Sequence, residues 1–394
     1  MVRTGRTLAL LAGVLAFAAP RAPADGAPAK PACSARPTGV PAARLASLGR
    51  GFNLPGWLDR KPGIAPDLAA LRALRARGFT HVRLPVKAEY YLIELTPADA
   101  VAAQSRDLSR AVDALLGLGF AVSLDMHPGE GLAELRRRDP DRAFALLDGL
   151  WRRLARSFAD RSPERIFFEI LNEPASPDEY ARAVRMARTV REAAPAHTII
   201  LGPAQDQRVE ALENLRPIGD RNTVYAIHFY DPMAFSHQGL DWSGPEEPLT
   251  HFRGVPFPSS RDHPAVTALH ARLLREGKGA AAAALTEQLA NRWDAAEIDR
   301  TFARAEAWAV RHGATVIVNE FGVLSWHAPP ADRARWLKAV RDSAERHCIG
   351  WVHWDYADGF GFMLRSGGRD IPDRAVLDSL IEPGAVTSGQ PAAR

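Results

Sequence analysis

From Gly51 onward the chain alternates between two hydrophobic periods. Short apolar runs rich in β-branched and aromatic residues recur at 51–54, 81–86, 121–126, 166–171, 198–201, 224–229, 315–319 and 350–354. Between them lie longer segments with helical spacing. In "APDLAALRALRARGF", Leu68, Leu71 and Leu74 share one helical face and Gly78 stands where a helix must end; Gly119 and Gly313 repeat the device. Continuously apolar strands alternating with amphipathic helices predict a parallel sheet buried on both faces. Eight such units predict an α/β fold of the (β/α)8 TIM-barrel type. The alternation breaks once, at 232–262, where Pro, Gly, Ser and His accumulate before an Ala-rich stretch. A long insertion after strand 6 is therefore expected, suited to shaping a cleft or to decorating the surface.

The N-terminus follows another pattern. Arg3 and Arg6 precede an apolar run over 8–19, and small residues lead to Ala22-Pro23-Ala24. This predicts a secretory signal peptide over 1–24, with an uncleaved anchor as the alternative and a secreted or periplasmic location as the consequence. An Ala/Pro-rich flexible leader is expected over 25–44, the (β/α)8 domain over 45–380 and a disordered tail over 381–394. No Ser/Pro linker to a separate module is read after residue 370.

Composition alters this picture little. With 46% hydrophobic and 24% charged residues the chain is of ordinary globular type. Loss of Arg3, Arg6 and Arg21 with the signal peptide would lower the formal charge from +4 to +1, so the basic balance implies no nucleic-acid partner. "LRRRDP" at 135–140 reads as an exposed helix end. The two cysteines, Cys33 and Cys348, are too far apart for a zinc knuckle or a redox CxxC. In a closed barrel, the segment before strand one lies beside strand eight, which would let the two pair as a disulfide after export.

The candidate chemistry lies at strand ends, which converge on one mouth of such a barrel. Strand two carries Arg83, strand three ends at His127, and strand four runs into Asn172 and Glu173. Strand six ends with His228 and Tyr230, strand seven with Glu320 and strand eight with Trp354. Each has a bland alternative: a structural ion pair for Arg83, core-edge packing for the histidines, rim packing for Trp354, and a proline-stopped polar turn for "NEP". Two carboxylates ending buried strands are harder to explain structurally, because burying unpaired charge costs several kcal/mol. A Glu pair with Arg, His and Tyr around it and an aromatic surface beside it matches what glycosidic bond cleavage requires, without metal or cofactor.

"FEILNEP" and "VIVNEFG" resemble the signatures of glycoside hydrolase family 5, the cellulase family of retaining (β/α)8 enzymes, and the resemblance runs from Gly51 to about Phe362. It implies Glu173 as general acid/base and Glu320 as nucleophile, with Arg83, His127, Asn172, His228, Tyr230 and Trp354 as the remaining substrate-binding and site residues. It also implies a monomer acting on a β-glucan or related polysaccharide, most simply as an endo-β-1,4-glucanase. β-1,3-Glucanase and β-mannanase activities of the same family are the alternatives. "RGFNLPGWLD" is similar to the opening of glucan-active relatives, and Trp57, Trp242, Trp326 and Tyr356 are candidate sugar platforms. Two rivals stand beside this reading: a metal-dependent barrel hydrolase using Asp125, His127, His228 and Asp231, and a barrel that binds glycan without cleaving it.

Overall fold

In the computed structural model, which describes residues 38–382, eight parallel strands close into a barrel with each strand hydrogen-bonded to its sequence neighbours and β8 back to β1. They are β1 (Arg50–Asn53), β2 (His81–Lys87), β3 (Ala121–His127), β4 (Ile166–Glu169), β5 (Thr198–Leu201), β6 (Thr223–Phe229), β7 (Thr315–Phe321) and β8 (Gly350–His353). The expected (β/α)8 architecture is thus present. Gly78 and Gly313 cap their helices in the left-handed conformation, with φ of 117° and 58°.

The barrel interior is graded from bottom to top. Its lower half is filled by Ala121, Phe167, Ile200, Val224, Ala226 and Ile317, which pack with Val40 and Leu48. The helix Ala42–Ser47 closes this end. Its Arg44 is buried and donates to Glu164, to the Ala196 carbonyl and to Thr198. The folded domain therefore begins before residue 45, because 42–44, expected as leader, carries the arginine that satisfies those acceptors. At the other terminus Ile381 is buried with the core, so the first tail residue belongs to the domain. The signal-peptide segment, Cys33 and residues from 383 on lie outside the described residues. Among the described residues no helix is long and apolar enough to cross a membrane.

The upper half of the interior is polar: Asn53, Arg83, Asp125, Glu169 and Asn319 are all fully buried there. One irregularity makes room for Glu320. Ile227 pairs with Val318 but His228 pairs with Glu320, so β7 holds one extra residue at Asn319. In a regular strand neighbouring side chains face opposite sides. The bulge lets Asn319 and Glu320 both turn inward, while Val318 and Phe321 pack outside in the core.

The segment after β6 is the expected insertion. It comprises a short helix (Met233–Ser236), an irregular stretch, and helices Pro264–Arg275 and Gly279–Gln288, before the outer helix Ala295–His312 leads into β7.

Candidate active site

Arg83 organises the mouth. Its Nε and Nη2 donate to the two oxygens of Glu169, each at 2.8 Å, and its Nη1 donates to Glu320 Oε1 at 2.6 Å. It also donates to Asn53 Oδ1 at 2.9 Å and to Asn172 Oδ1 at 2.7 Å, and lies 3.0 Å from Asp125. Burial opposes the cation, but Asp125, Glu169 and Glu320 overcome that and hold Arg83 firmly charged.

The partners of Arg83 follow from donor and acceptor rules. Asn172 must turn its oxygen to the guanidinium, so its amide NH2 faces the cleft beside Glu173, 3.5 Å from Oε2. Asn172 sits beyond the end of β4, yet its N–H still donates to the Met126 carbonyl at 3.0 Å, which fixes it in place. The regular strand stops at Glu169 rather than Leu171, and single bonds of this kind carry the pairing onward.

Glu320 is also held from the other side, where Tyr230 Oη donates to its Oε2 at 2.8 Å. Burial and the carboxylates of Glu320 and Glu173 push the Tyr230 phenol far up, so it remains a donor. His228 Nδ1 lies 2.8 Å from Glu173 Oε1 and 3.5 Å from Glu320 Oε2. Burial drives His228 down to about 4, leaving the ring neutral near pH 7. Burial among these groups raises Glu173 above the ordinary glutamate range, with His127 and Arg83 opposing.

Arg83, Asn172, Glu173, His228, Tyr230 and Glu320 thus form one hydrogen-bonded constellation. His127 and Trp354 stand together beside it, their rings nearly parallel at 14° with centroids 6.1 Å apart. His127 also meets Asp125, whose carboxyl is raised to about 7 by burial.

Residues that sequence reasoning passed over complete the site. Glu169 reads as part of an apolar strand, although it shares the inward parity of Phe167, two residues earlier, and that parity was the available signal. Asn53, Asn319 and Gln207 carried no comparable signal. Gln207 follows β5 in a turn where Gln205, Asp206 and Gln207 have φ of 58°, 56° and 61°. For residues with a Cβ this left-handed conformation costs ~1–2 kcal/mol each.

The aromatic candidates divide. Trp242, from the insertion, is 57% exposed and lines a cavity of about 500 Å3 together with Glu173, His228 and Tyr230. Trp326 meets it edge to face at 6.1 Å. Trp57 is partly buried and lines a separate groove of about 440 Å3. Tyr356 is no sugar platform: it is fully buried against Phe52 and Phe362, with its hydroxyl donating to Asp370.

Among the described residues, Asp125, His127, His228 and Asp231 do not form a coordinating group. Asp231 is paired with Arg208 and Asp125 with Arg83. Among the described residues, Glu173, His228 and Glu320 each bring one potential ligand atom within 4.8 Å of the others.

Fold and site together define a (β/α)8 barrel with a glutamate pair at its C-terminal mouth, the arrangement of retaining and inverting glycosidases. The chain belongs to the cellulase family, glycosyl hydrolase family 5, whose sequence model matches residues 45–358. Endoglucanase 3 of Fibrobacter succinogenes is 25% identical over 339 residues, covering 80% of this chain and 50% of the relative. Endoglucanase C of Acetivibrio thermocellus is 28% identical over 234 residues, covering 54% of this chain and 66% of the relative. The chain thus spans about half to two thirds of the length of these relatives. In fold it is similar to endoglucanase Cel5A from Thermotoga maritima, with a TM-score of 0.69 at 23% identity over 86% of this chain and 98% of the other. Cellulose synthase subunit Z from Clostridioides difficile is also similar, with a TM-score of 0.66 at 24% identity over 85% and 99%.

Proposed function

We propose that this protein is a retaining β-glycoside hydrolase acting on a β-linked glucan, most simply an endo-β-1,4-glucanase. The observation that carries the reading is the closeness of the two glutamates, a carboxylate oxygen of Glu320 lying within 4.8 Å of one on Glu173. Retaining enzymes hold the two carboxyl groups about 5–5.5 Å apart, whereas inverting enzymes leave about 6.5–9.5 Å for a water.

In this reading Glu320, anchored by Arg83 and Tyr230, attacks the anomeric carbon while Glu173 protonates the departing glycosidic oxygen. A glycosyl ester on Glu320 results and the shortened sugar leaves. Glu173, now ionised, takes a proton from water, whose oxygen attacks the anomeric carbon and releases Glu320. The Asn172 NH2, freed by the contact of its oxygen with Arg83, donates to the sugar 2-hydroxyl, a bond that strengthens as positive charge develops on the ring. His127 and Trp354 offer a flat wall for the sugar bound next to Glu320.

The test is the anomeric configuration of the first product. Proton NMR during cleavage of a cello-oligosaccharide should show the β-anomer before mutarotation; an initial α-anomer would overturn the nucleophile assignment. A reducing-sugar screen over carboxymethyl cellulose, lichenan, laminarin and mannan separates the glucanase readings from β-mannanase. Export belongs to the same proposal, supported by the Arg3/Arg6 and 8–19 pattern. Recovery of a mature N-terminus at residue 25 in the exported protein would test it.

A further inference from the structure

The turn of Gln205, Asp206 and Gln207 holds three successive non-glycine residues at positive φ. Such a conformation persists only where surrounding contacts over-determine it, and it clusters at functional sites. The contacts here converge on Glu173. The Asp206 N–H donates to the Pro174 carbonyl at 3.4 Å, docking the turn on the loop that carries Glu173. Gln207 is fully buried, and its Oε1 accepts from the Glu173 N–H at 2.9 Å. Its Nε2 donates to Ala226 O and Asn319 Oδ1, each at 3.4 Å. The Gln207 carbonyl in turn accepts from the His228 N–H at 3.0 Å, and His228 Nδ1 lies 2.8 Å from Glu173 Oε1.

These contacts close a ring. One residue grips the main chain of Glu173 with its side chain and the main chain of His228 with its carbonyl, and His228 meets the Glu173 carboxyl. Glu173 has itself a φ of 46°, so its backbone needs an external hold. Gly202 clears the space for it: a Cβ there would lie 2.2 Å from Gln207 Cδ.

We propose that Gln207 is a positioning residue that fixes the Glu173 carboxyl for proton delivery to the leaving oxygen, acting through the Glu173 amide and His228. This rests on the reading of Glu173 as the acid/base. Well-placed general acids contribute roughly 10²–10⁴-fold, and only where the leaving group needs a proton. Loss of position should therefore depend on the leaving group. A role in packing alone would impair all substrates alike.

The experiment compares Gln207→Met, which removes the acceptor, with Gly202→Ala, which displaces the untouched Gln207 side chain. The readout is kcat/KM on cellotetraose and on 2,4-dinitrophenyl β-cellobioside, because it reports the first bond-breaking step. Both variants should lose roughly tenfold or more on cellotetraose and less than about threefold on the dinitrophenyl glycoside. Equal loss on both substrates, undiminished cellotetraose cleavage, or failure of both variants to fold would overturn the proposal. Glu173→Ala, measured alongside, separates the two readings. A leaving-group-dependent loss there, with a uniform loss in Gln207→Met, overturns the positioning role alone. A uniform loss in Glu173→Ala overturns the acid/base reading and this proposal with it.

Discussion

Arg83 and Glu169 are joined by two parallel hydrogen bonds of 2.8 Å, with both side chains fully buried. This bidentate pair consumes one edge of the guanidinium and fixes its plane. Nη1 is thereby aimed at Glu320 and Asn53, and the remaining proton of Nη2 at Asn172. Removing one member of a buried ion pair strands the other, at about 3–5 kcal/mol. Glu169→Ala should lose stability on that scale in urea unfolding and should also lose activity, although Glu169 is no part of the expected catalytic pair. A change below about 1 kcal/mol would show that Asp125 and Glu320 suffice to hold the cation.

The two glutamates separate by chemical rescue. Glu320→Ala should abolish hydrolysis, and azide should restore cleavage of an activated β-glucoside with formation of the α-azide. Glu173→Ala should retain cleavage of activated substrates and yield the β-azide. The pH profile gives a second check, because a general acid works only while protonated. Burial raises Glu173, so the alkaline limb of wild-type kcat/KM should fall above the pH at which an ordinary glutamate titrates. On the dinitrophenyl substrate, whose leaving group needs no proton, that limb should be missing in wild type and in Glu173→Ala alike; its persistence would assign it to another group.

His81 tests the buried polar interior independently of catalysis. It is fully enclosed, and burial, followed by the Arg83 charge, lowers it to about 3. A histidine depressed in the folded state takes up a proton more readily when unfolded. Its contribution is intact above its unfolded pKa of ~6.5 and is lost as pH falls from there toward the folded value. Between pH 7 and pH 5, wild type should therefore lose about 2 kcal/mol relative to His81→Gln. Parallel denaturation curves at the two pH values would contradict this.

Trp242 tests the extent of the cleft. Being 57% exposed, it should tolerate replacement by alanine without a change in thermal midpoint. Stacking on an aromatic face is worth ~0.5–1.5 kcal/mol, so Trp242→Ala should lose roughly twofold to twelvefold in kcat/KM on cellopentaose. An aryl cellobioside, too short to reach it on the Glu173 side, should be unaffected. Equal kinetics on both substrates would make Trp242 a surface residue.

The barrel was legible in the chain because its strands are buried on both faces and its helices on one, and those two periods are local properties. Arg83, Glu173, His228 and Glu320 were legible because polar residues ending apolar runs fall, in such a barrel, on one mouth. Glu169 was obscured inside an apolar run, although its parity with Phe167 pointed inward. The start of the domain was misplaced because Arg44 finds its acceptors at Glu164, Ala196 and Thr198, far away in sequence. Tyr356 looked like a platform until its ring met Phe52 and Phe362.

Sequence by itself determined the fold class and the residue types available at the mouth, since periodicity and strand ends are set by near neighbours. Tertiary structure alone decided the rest. The bulge that turns both Asn319 and Glu320 inward depends on how β7 pairs with β6. The left-handed turn at Gln207 depends on acceptors and donors from the loop after β4, from β6 and from β7. The physical reason is the same in both cases: an unfavourable local conformation holds only when partners distant in the chain supply the hydrogen bonds that over-determine it.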